Sequence, residues 1–482
     1  MSHSLSLSAG RHLLLLTAVS MLIGLSECSD SDPIPEPELA TPTFHEQVAP
    51  IFNAQCVACH QDGGIGPFRL DRYEDARDYA GAIASAVSAR RMPPWSVDNT
   101  GECQTFLGAR WLSDAEIDTI SKWAQAGAPE GTSGQASALP GSADHHPGHL
   151  TETQGSLTSL SGNIVEVGMV QPYVPTPSEV GPEDDYRCFL LDPNLPADRY
   201  VTGFEVLPGN STLVHHVVIF SVDPEQVVGM GPEGEPLTNG QVMESLQKAE
   251  GVRSGWTCFG AAGEGVAPSG TPVTWAPGSP VTHYPEGTGL TLRKGHQLVM
   301  QVHYHVHGGE GLHTETGGSD QTRVRLELAE HVARPAFAEM PDGFLDTAFT
   351  PNPAVLPPGQ ESIPYTWTLS GEAAAQFFQE ETGTRPSRFE IFGIFPHMHG
   401  TGRMMSASLV GGSQEVCMAQ VPRWDYRWQQ FYFYETPVSW LPSQDLRVTC
   451  TFDTRGRTKP TRPGLGTEDE MCLFGLYVVP VN

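Results

Sequence analysis

The sequence predicts a multidomain protein in which a small all-α domain precedes two all-β sandwich domains of the jelly-roll type. The chain of 482 residues is long enough for two to four domains. Its 51 glycines and 41 prolines, with only 17% charged residues, indicate short strands joined by many turns. A helical period is evident mainly before residue 132, and alternating apolar runs dominate after it.

The N-terminal segment, residues 1–28, has the features of an export signal. Arg11 precedes an apolar run from 13 to 25, which is shorter than the roughly 20 apolar residues of a membrane-spanning helix. The run leads to Cys28 in a sequence that resembles a bacterial lipoprotein cleavage box, although Glu27 stands where a small residue is expected. We therefore predict export, to the periplasm or the cell surface, and a lipid anchor on Cys28 stays an open alternative.

Residues 44–131, which follow a Pro- and Ser-rich tether at 29–43, are predicted to form the helical domain. One helix is predicted from Tyr73 through Ala-rich sequence up to Arg91. A second helix opens with a serine that is followed three residues later by glutamate, the spacing of a capping box. The serine and glutamate, and the apolar side chains that follow at helical spacing, are Ser113, Glu116, Ile117, Ile120, Trp123 and Ala124.

The helical domain contains the C-x-x-C-H sequence of covalent c-type haem attachment, at Cys56, Cys59 and His60. The two thiols form thioethers to the haem, and the histidine ligates its iron. A redox-active cysteine pair and a zinc site are the rival interpretations, and a small helical domain in an exported chain favours haem. Met92, just before two prolines, is the predicted sixth ligand, with a role as core filler, or His45 as ligand, left as alternatives. A methionine opposite a histidine raises the reduction potential, which suits electron transfer.

The second half of the chain has the pattern of an all-β protein. A Gly/Ser/Thr-rich linker, residues 132–161, comes first, and its histidines at 145, 146 and 149 are interpreted as solvated. Strand-like runs then alternate with Gly/Pro turns at 201–207, 213–221, 297–307, 322–328, 389–395, 446–452 and 473–479. We predict one sandwich over 162–332 and another over 333–482, joined near 333–344.

Histidines are bunched within these predicted strands, at His215-His216, at His303, His305 and His307, and at His397 and His399. Because alternate side chains of a strand share a face, the triplet and the last pair each lie on one face. Neutral imidazole is the commonest protein ligand for copper and zinc, so the clusters predict metal binding. The simpler alternative, chance clustering on solvated strands, is less favoured for three clusters than for one.

The order of these motifs resembles the copper type II, ascorbate-dependent monooxygenases, a family that includes peptidylglycine α-hydroxylating and dopamine β-monooxygenases. The resemblance covers about 162–482 and rests on five ordered pieces, each weak by itself: His215-His216, the His303 strand, His397-Met398-His399, Cys450, and the sequence Asp469-Glu470-Met471-Cys472. The surrounding sequence also fits, notably 274–277 and 284–287 before the His303 strand.

The resemblance implies two copper ions, one in each sandwich. It assigns the electron-transfer copper to His215, His216 and His303, and the catalytic copper to His397, His399 and Met471. Three imidazoles suit both oxidation states of copper, whereas a thioether favours Cu(I), the state that meets O2. The implied reaction is hydroxylation of an activated C–H bond with O2. The resemblance also implies a disulfide between Cys450 and Cys472. We interpret His305 and His307, on the ligand face of their strand, as solvated rather than as residues that support the metal ligands.

The sequence departs from the family at the positions that would bind substrate. The peptide-hydroxylating branch carries an arginine two residues before the H-x-H motif, where this chain has Phe395. That branch also carries Asn and Tyr after its methionine–cysteine pair, where this chain has Leu473-Phe474-Gly475. A carboxylate anchor is therefore missing, a C-terminal glycine peptide is an unsuitable substrate, and the sequence leaves the small organic substrate unknown.

The cysteines also divide by predicted role. Setting aside Cys28, Cys56 and Cys59 leaves six of nine, an even number that suits disulfides in an exported protein. Cys188 resembles a family cysteine whose partner would fall near 322–324, where there is none. Cys103, Cys188, Cys258 and Cys417 must therefore pair in another way or stay free.

The haem sequence suggests the origin of the electrons. Family members usually take electrons from ascorbate, and a fused cytochrome predicts that the haem relays single electrons to the first copper, with ascorbate or a redox carrier as outside donor. The alternatives are a non-catalytic copper/haem redox or copper-handling protein, and a structural surface protein with vestigial sites. The net charge of −29 argues against nucleic acid or an anionic membrane face as partner.

Overall fold

The computed structural model describes residues 41–482, except 63, 65, 134–158, 177–183, 232, 259–260, 278, 280, 306–317, 345–354, 427 and 465–467. The predicted signal, Cys28, most of the tether, the linker histidines and His307 lie outside the described residues. Residues 42–482 form one compact unit. Among the described residues, none of the helices is long and apolar enough to cross a bilayer.

Residues 44–125 contain short helices around a shared apolar cluster. A π-helical turn (Phe44–Val48) precedes α1 (Ala49–Gln55), α2 (Tyr73–Asp78), α3 (Ala80–Ser88) and α4 (Asp114–Gln125). The rings of Phe52 on α1 and Trp123 on α4 meet edge to face at 6.1 Å, and both are fully buried. Burial of these two large rings fixes the crossing of the first and last helices.

The predicted helix from 73 to 91 is divided into two at Tyr79. Its backbone leaves the helical region at φ −106° and ψ 9°, and its ring stacks on Phe68 at 4.1 Å. The capping box of the second predicted helix is confirmed. The Ser113 hydroxyl accepts a hydrogen bond from the Glu116 amide, and the Glu116 carboxylate accepts one from the Ser113 amide at 2.7 Å.

The rest of the described chain is mostly β-structure, and the prediction of β-sandwich sheets is confirmed. The strands are β1 (Asn163–Gly168), β2 (Asp184–Leu191), β3 (Arg199–Leu207), β4 (Val214–Val222), β5 (Val227–Met230), β6 (Pro236–Thr238), β7 (Trp256–Thr257), β8 (Gly270–Trp275), β9 (Thr282–His283), β10 (Thr288–Leu292), β11 (Gln297–His305), β12 (Arg323–Ala329), β13 (Arg334–Glu339), β14 (Ile363–Ser370), β15 (Arg388–His397), β16 (Gly402–Val410), β17 (Val416–Val421), β18 (Tyr432–Trp440), β19 (Asp445–Phe452) and β20 (Leu473–Val481).

Two helices interrupt the strands, and neither was predicted. They are α5 (Asn239–Ala249) and α6 (Gly371–Thr382). A signal for α5 was present, because Thr238 and Gln241 have the spacing of a capping box and form one. Both helices lie between strands in the sequence, and α6 buries Ala374, Ala375 and Phe378 in an apolar core.

Two smaller sheets each enclose an apolar core together with part of one nine-stranded sheet. A five-stranded sheet, β7-β2-β11-β4-β8, shares its core with β1, β12, β3 and β10, and a four-stranded sheet, β14-β19-β16-β17, shares a second core with β20, β15 and β18. The short strand β13 pairs in parallel with β10 and antiparallel with β20. The stretch expected to join two separate sandwiches is therefore a strand common to both, and it makes one continuous sheet.

An extended segment, residues 92–112, connects the helices to the second sandwich, and we refer to it as the strap. Cys103 of the strap is bonded to Cys417 on β17. Phe106 forms a β-bridge with Tyr434 on β18, and the two rings stack at 5.0 Å. The helical region is thus held covalently against the β-domain that carries the last histidine pair.

Candidate metal centres

The first histidine cluster is assembled by a β-bulge in β4. His303 of β11 lies opposite His216, but the next residue, Tyr304, lies opposite Val214, so His215 is the extra residue. Adjacent residues of a regular strand point to opposite faces, and a bulge removes that alternation. As a result, the ligand nitrogens of His215, His216 and His303 all lie within 4.8 Å of one another.

Burial and neighbouring groups prepare this cluster for a metal ion. The three rings are 6%, 3% and 1% exposed, so water hardly reaches them. Burial, followed by the neighbouring His303 and His215, holds the pKa of His216 well below its usual range. The imidazole is therefore neutral, the form that binds metal ions. The Nδ1 atoms of His216 and His303 are 3.2 Å apart and face each other, as donors to one shared cation do.

A second layer of contacts holds His303 in place, and sequence reasoning missed it. Asp184 contacts the Nε2 atom of His303 at 3.0 Å, which leaves Nδ1 to face His216. The ring of Tyr186 stacks on His303 at 4.1 Å with an interplanar angle of 5°. Carboxylate partners of this kind fix the tautomer and orientation of metal-binding histidines. Both residues lie at the start of β2, whose pairing with β11 could not be read from local sequence.

The second histidine pair lies at the end of β15. The rings of His397 and His399 are 5.2 Å apart, and Met398 between them is buried in the second core. Each Nδ1 atom has a partner: the Gln429 side-chain oxygen lies 2.6 Å from that of His397, and the Asp469 carbonyl lies 3.0 Å from that of His399. In both rings these contacts leave Nε2 as the atom for a metal ion.

The charge state of this pair also suits a metal. Burial, followed by the neighbouring His399, lowers the pKa of His397 to about 3, although the hydrogen bond with Gln429 opposes the shift. His397 is therefore neutral at physiological pH. In proteins, copper and zinc bind to neutral imidazole nitrogens that converge on one position.

Glu470 ties the segment that carries Met471 to the histidine pair. Its carboxyl group is fully buried and accepts hydrogen bonds from the amides of His399, Thr401 and Met471, at 2.8, 2.7 and 3.2 Å, and from the Thr401 hydroxyl at 2.8 Å. Four donors on one carboxyl group join the turn after β15 to the start of β20. Sequence reasoning missed this role, because Glu470 directly follows the acidic residues Glu468 and Asp469 and has no distinctive local pattern.

Met471 lies next to an apolar group of side chains. It is 5% exposed and clusters with Phe395 and Leu473, with Met340 and Phe431 packed around them. Cys472, the next residue, is bonded to Cys450 on β19. The Phe395 ring lies parallel to that of His397, with centroids 6.2 Å apart. The surroundings of the second pair are therefore apolar on the side of β20 and Phe395.

Comparison with known proteins agrees with this arrangement. Residues 347–480 match the family model for the C-terminal domain of copper type II ascorbate-dependent monooxygenases. Among relatives, dopamine beta-hydroxylase of Rattus norvegicus is 25% identical and covers 62% of this chain and 44% of its own length. The chain is therefore similar to the copper type II ascorbate-dependent monooxygenases, in the family model over residues 347–480 and in this relative over 62% of the chain.

Other relatives match this chain with similar coverage. The putative DBH-like monooxygenase protein 2 of Homo sapiens is 24% identical over 62% of this chain and 55% of its own length. Tyramine beta-hydroxylase of Caenorhabditis briggsae is 25% identical over 62% of this chain and 46% of its own length. This chain thus spans about half the length of the relatives it matches. A solved structure of allantoicase aligns with 61% of the chain at 9% identity and a TM-score of 0.16, too low to bear on the fold.

The C-x-x-C-H residues follow α1. Cys56 and Cys59 are half-buried and are not joined in a disulfide. The Nδ1 atom of His60 lies 2.9 Å from the Phe68 carbonyl, so its Nε2 atom stays available as a ligand. Burial lowers the pKa of His60 and raises that of Cys56 to about 12.

The predicted sixth ligand, Met92, is linked to these cysteines through Arg110. Met92 is 37% exposed and lines a small cavity together with Arg110. Arg110 is also close enough to Cys56 and Cys59 for its charge to lower the pKa of both thiols, although burial outweighs it. His45, the rival ligand, lies beside Glu130 at 3.5 Å in a different cavity of about 360 Å³.

The remaining cysteines pair in two further disulfides. Cys188 on β2 is bonded to Cys258, and Cys103 of the strap is bonded to Cys417. The missing family partner near 322–324 is thus replaced by a cysteine that follows β7, the strand paired with β2. His305 is the last residue of β11, and His307 lies outside the described residues.

Proposed function

We propose that this protein is an exported, copper-dependent monooxygenase that hydroxylates an activated C–H bond with O2 and receives electrons through its own c-type haem domain. The observation that carries the proposal is the presence of two unlike histidine sites. His215, His216 and His303 converge within 4.8 Å, and His397 and His399 face each other beside the Met471 segment. A storage or sensing protein would not require two differently built sites.

The role proposed for each copper follows from the side chains that would bind it. His215, His216 and His303 would hold the electron-transfer copper, and His397, His399 and Met471 would hold the copper that meets O2. Copper supplies one-electron chemistry at each site, so that two electrons and two protons reduce one oxygen atom to water while the other enters the C–H bond.

The surrounding residues orient the ligands and exclude water. Asp184 and Gln429 fix the rings of His303 and His397, and Glu470 holds Met471 beside His399. His215, His216, His303, His397 and Met471 are all less than 8% exposed. Exclusion of water protects a reactive site from side reactions and strengthens its electrostatic interactions.

The substrate is proposed to be a small organic molecule without a carboxylate that needs anchoring. Relatives are named for dopamine and tyramine, both small molecules. In this chain, the residues beside the second pair are apolar, with Phe395 and Leu473 against Met471. Such a surface favours an apolar part of the substrate near the reacting position.

Two contacts support a haem relay to the first copper site. Cys59 Sγ lies 3.7 Å from the carbonyl oxygen of Pro277, which follows β8. Trp275 on β8 pairs with Val217 on β4, and Val217 is the chain neighbour of His216. A haem attached at Cys59 would therefore lie against a short stretch of backbone that leads to the first cluster.

A zinc site, one rival explanation of the C-x-x-C-H sequence, has less support than haem. Cys56 and Cys59 are free thiols in the structure, which suits covalent haem attachment and equally suits a reduced redox-active pair. Within the described residues, Cys56, Cys59 and His60 do not belong to a group of three convergent ligands, as a zinc site would require. Free thiols with a neighbouring histidine held through Nδ1 suit covalent haem.

The proposal is tested first by composition and then by reaction. Metal analysis of the full-length protein is expected to find two copper ions and one haem per chain. A screen of small aromatic and aliphatic compounds under O2 should then find one whose hydroxylated product forms in step with O2 consumption. A protein that binds copper and haem but yields no product with any candidate supports the redox or copper-handling alternative.

The relay has its own test. Haem is reduced anaerobically in the copper-loaded protein, and its absorbance is followed together with the Cu(II) signal in electron paramagnetic resonance (EPR). Oxidation of haem with matching loss of Cu(II) is expected. Haem that stays reduced while Cu(II) persists would overturn the relay, and the copper monooxygenase proposal would survive with an outside donor.

Export is proposed on the basis of the signal segment and the three disulfides, which persist in oxidising compartments. Whether the protein is lipidated is decided by a Cys28→Ser variant. A lipoprotein is expected to move from the membrane fraction to the soluble periplasmic fraction on this substitution. An unchanged distribution would exclude the anchor.

A further inference from the structure

Two consecutive residues of the segment before β18 contact the two histidine sites separately. The ring of Trp428 lies 5.6 Å from that of His215, in the first cluster. The side-chain oxygen of Gln429 lies 2.6 Å from Nδ1 of His397, in the second pair. One peptide unit therefore separates a residue in contact with one site from a residue in contact with the other.

Hydrogen bonds within the segment and one from the first sandwich hold Trp428, Gln429 and Gln430 in place. The Trp428 amide donates a hydrogen bond to the Asp425 carbonyl at 3.0 Å, and the Gln429 amide group donates one to the Tyr426 carbonyl at 2.6 Å. The next residue, Gln430, accepts a hydrogen bond from Ser279 of the first sandwich at 3.3 Å. The segment is thus a folded turn with a fixed position between the sandwiches.

The same turn also lies close to the haem motif. Ser279, which donates to Gln430, is two residues from Pro277, whose carbonyl contacts Cys59. On the other side of the turn, Phe431 packs against Phe395, the ring that lies parallel to His397. The turn therefore contacts both histidine sites, and through Ser279 it lies near Pro277, the residue that contacts Cys59.

We propose that Trp428 and Gln429 form a bridge that holds the two copper sites at one separation and carries the electron between them. The proposal rests on the proposed function, because it needs copper at both sites. One electron would leave the copper held by His215, His216 and His303, oxidising it from Cu(I) to Cu(II), and would reduce the copper held by His397 from Cu(II) to Cu(I). No bond forms or breaks in this step.

The chemistry of the two side chains suits these roles. The indole is a large rigid ring that contacts the His215 imidazole without binding metal, so it can fix a distance with little loss of side-chain entropy. The Gln429 oxygen accepts the Nδ1 proton of His397 and so leaves Nε2 as the metal-binding atom. A route through one peptide and two side chains avoids a path through water.

The positioning role is tested by the distance between the coppers. Pulsed EPR on the full-length, Cu(II)-loaded protein is expected to give one narrow distance distribution. Trp428→Leu should broaden or lengthen it, and Trp428→Phe, which retains a ring, should restore much of the narrow component. Trp111→Leu is the matched control, because Trp111 is a half-buried indole of the strap that stacks on Arg90. A narrow distribution that is unchanged in Trp428→Leu would overturn the bridge.

The electron-carrying role is tested by counting oxidised copper. Fully reduced protein is mixed with O2 in buffer, and Cu(II) is integrated by EPR over time. In the parent both coppers are expected to oxidise together, whereas in Trp428→Leu one should oxidise and the other should lag. Simultaneous oxidation in the variant would overturn this role.

Failure of the proposed function would look different from failure of the bridge. A parent protein that binds fewer than two coppers, or whose copper is not oxidised by O2, would contradict the monooxygenase proposal itself. Gln429→Leu is expected to show the same lag in copper oxidation, and simultaneous oxidation would contradict its part in the bridge. Should this variant release the second copper, Trp428→Leu decides the case, because it leaves both ligand sets intact.

Discussion

Replacement of Glu470 is expected to weaken both the fold around the second histidine pair and the copper site proposed there. Its fully buried carboxyl group accepts four hydrogen bonds, from the amides of His399, Thr401 and Met471 and from the Thr401 hydroxyl. Glu470→Ala would leave these donors in an apolar interior. Glu470→Gln retains one oxygen and directs an NH2 group at the remaining donors.

The magnitude follows from the number of donors that lose a partner. A buried donor without an acceptor costs about 1–3 kcal/mol, and the Thr401 hydroxyl can rotate to find another partner. Three amides then predict a loss of about 3–9 kcal/mol in the free energy of unfolding for Glu470→Ala, and the one or two amides that would face the NH2 group predict a loss of about 1–6 kcal/mol for Glu470→Gln. These losses are large compared with the roughly 5–15 kcal/mol stability of a typical domain.

Two assays separate stability from metal binding. Urea unfolding followed by tryptophan fluorescence measures the first, and X-ray absorption of the Cu(I) protein measures the sulfur contribution expected from Met471. Glu470→Gln should lower the unfolding midpoint and weaken copper binding at this site by about 10- to 100-fold, the usual effect of losing a residue that orients a ligand.

Glu468→Gln is the matched control, because Glu468 is 77% exposed and close in sequence. It should change the free energy of unfolding by less than about 0.5 kcal/mol. The reasoning would be refuted if Glu470→Gln and Glu468→Gln unfolded at the same urea concentration and kept the same copper–sulfur signal.

Three further outcomes are expected. Ser113→Ala removes the capping hydroxyl of α4 and should cost about 1 kcal/mol in urea unfolding, and no change would contradict the role of the cap. Joint replacement of Cys103 and Cys417 by serine should cost about 2–5 kcal/mol and expose the strap to limited proteolysis, whereas unaltered cleavage would show that noncovalent contacts suffice. Burial, with the nearby Glu381, raises the pKa of Glu339 from 4.5 to about 7, so its contribution to stability is present below pH 4.5 and is lost as pH rises through 7. Glu339→Gln should therefore be more stable than the parent at pH 8, by up to about 3 kcal/mol, and equal urea midpoints at pH 8 would contradict this.

Local sequence patterns predicted where strands and helices form. They did not predict as well which strands pair with one another or which side chains meet. The runs that contain His303 and His397 became strands because alternation of apolar and polar side chains is a property of a few neighbouring residues. The break at Tyr79 escaped prediction, since it accompanies stacking on Phe68, eleven residues away. Likewise, β13 was expected as a joint, and its pairing with both β10 and β20 depends on strands far apart in sequence.

The sequence by itself determined which residue types are available for metal and haem, and it determined the alternation that places His397 and His399 on one face. Only the tertiary structure decided how adjacent His215 and His216 face the same side, because a bulge appears when β4 is paired with β11. It also decided which distant groups orient the ligands: Asp184, Glu470 and Gln429 come from other strands and turns. Hydrogen bonds between residues dozens to more than a hundred positions apart leave no local pattern, so the second layer of these sites becomes visible only in the folded chain.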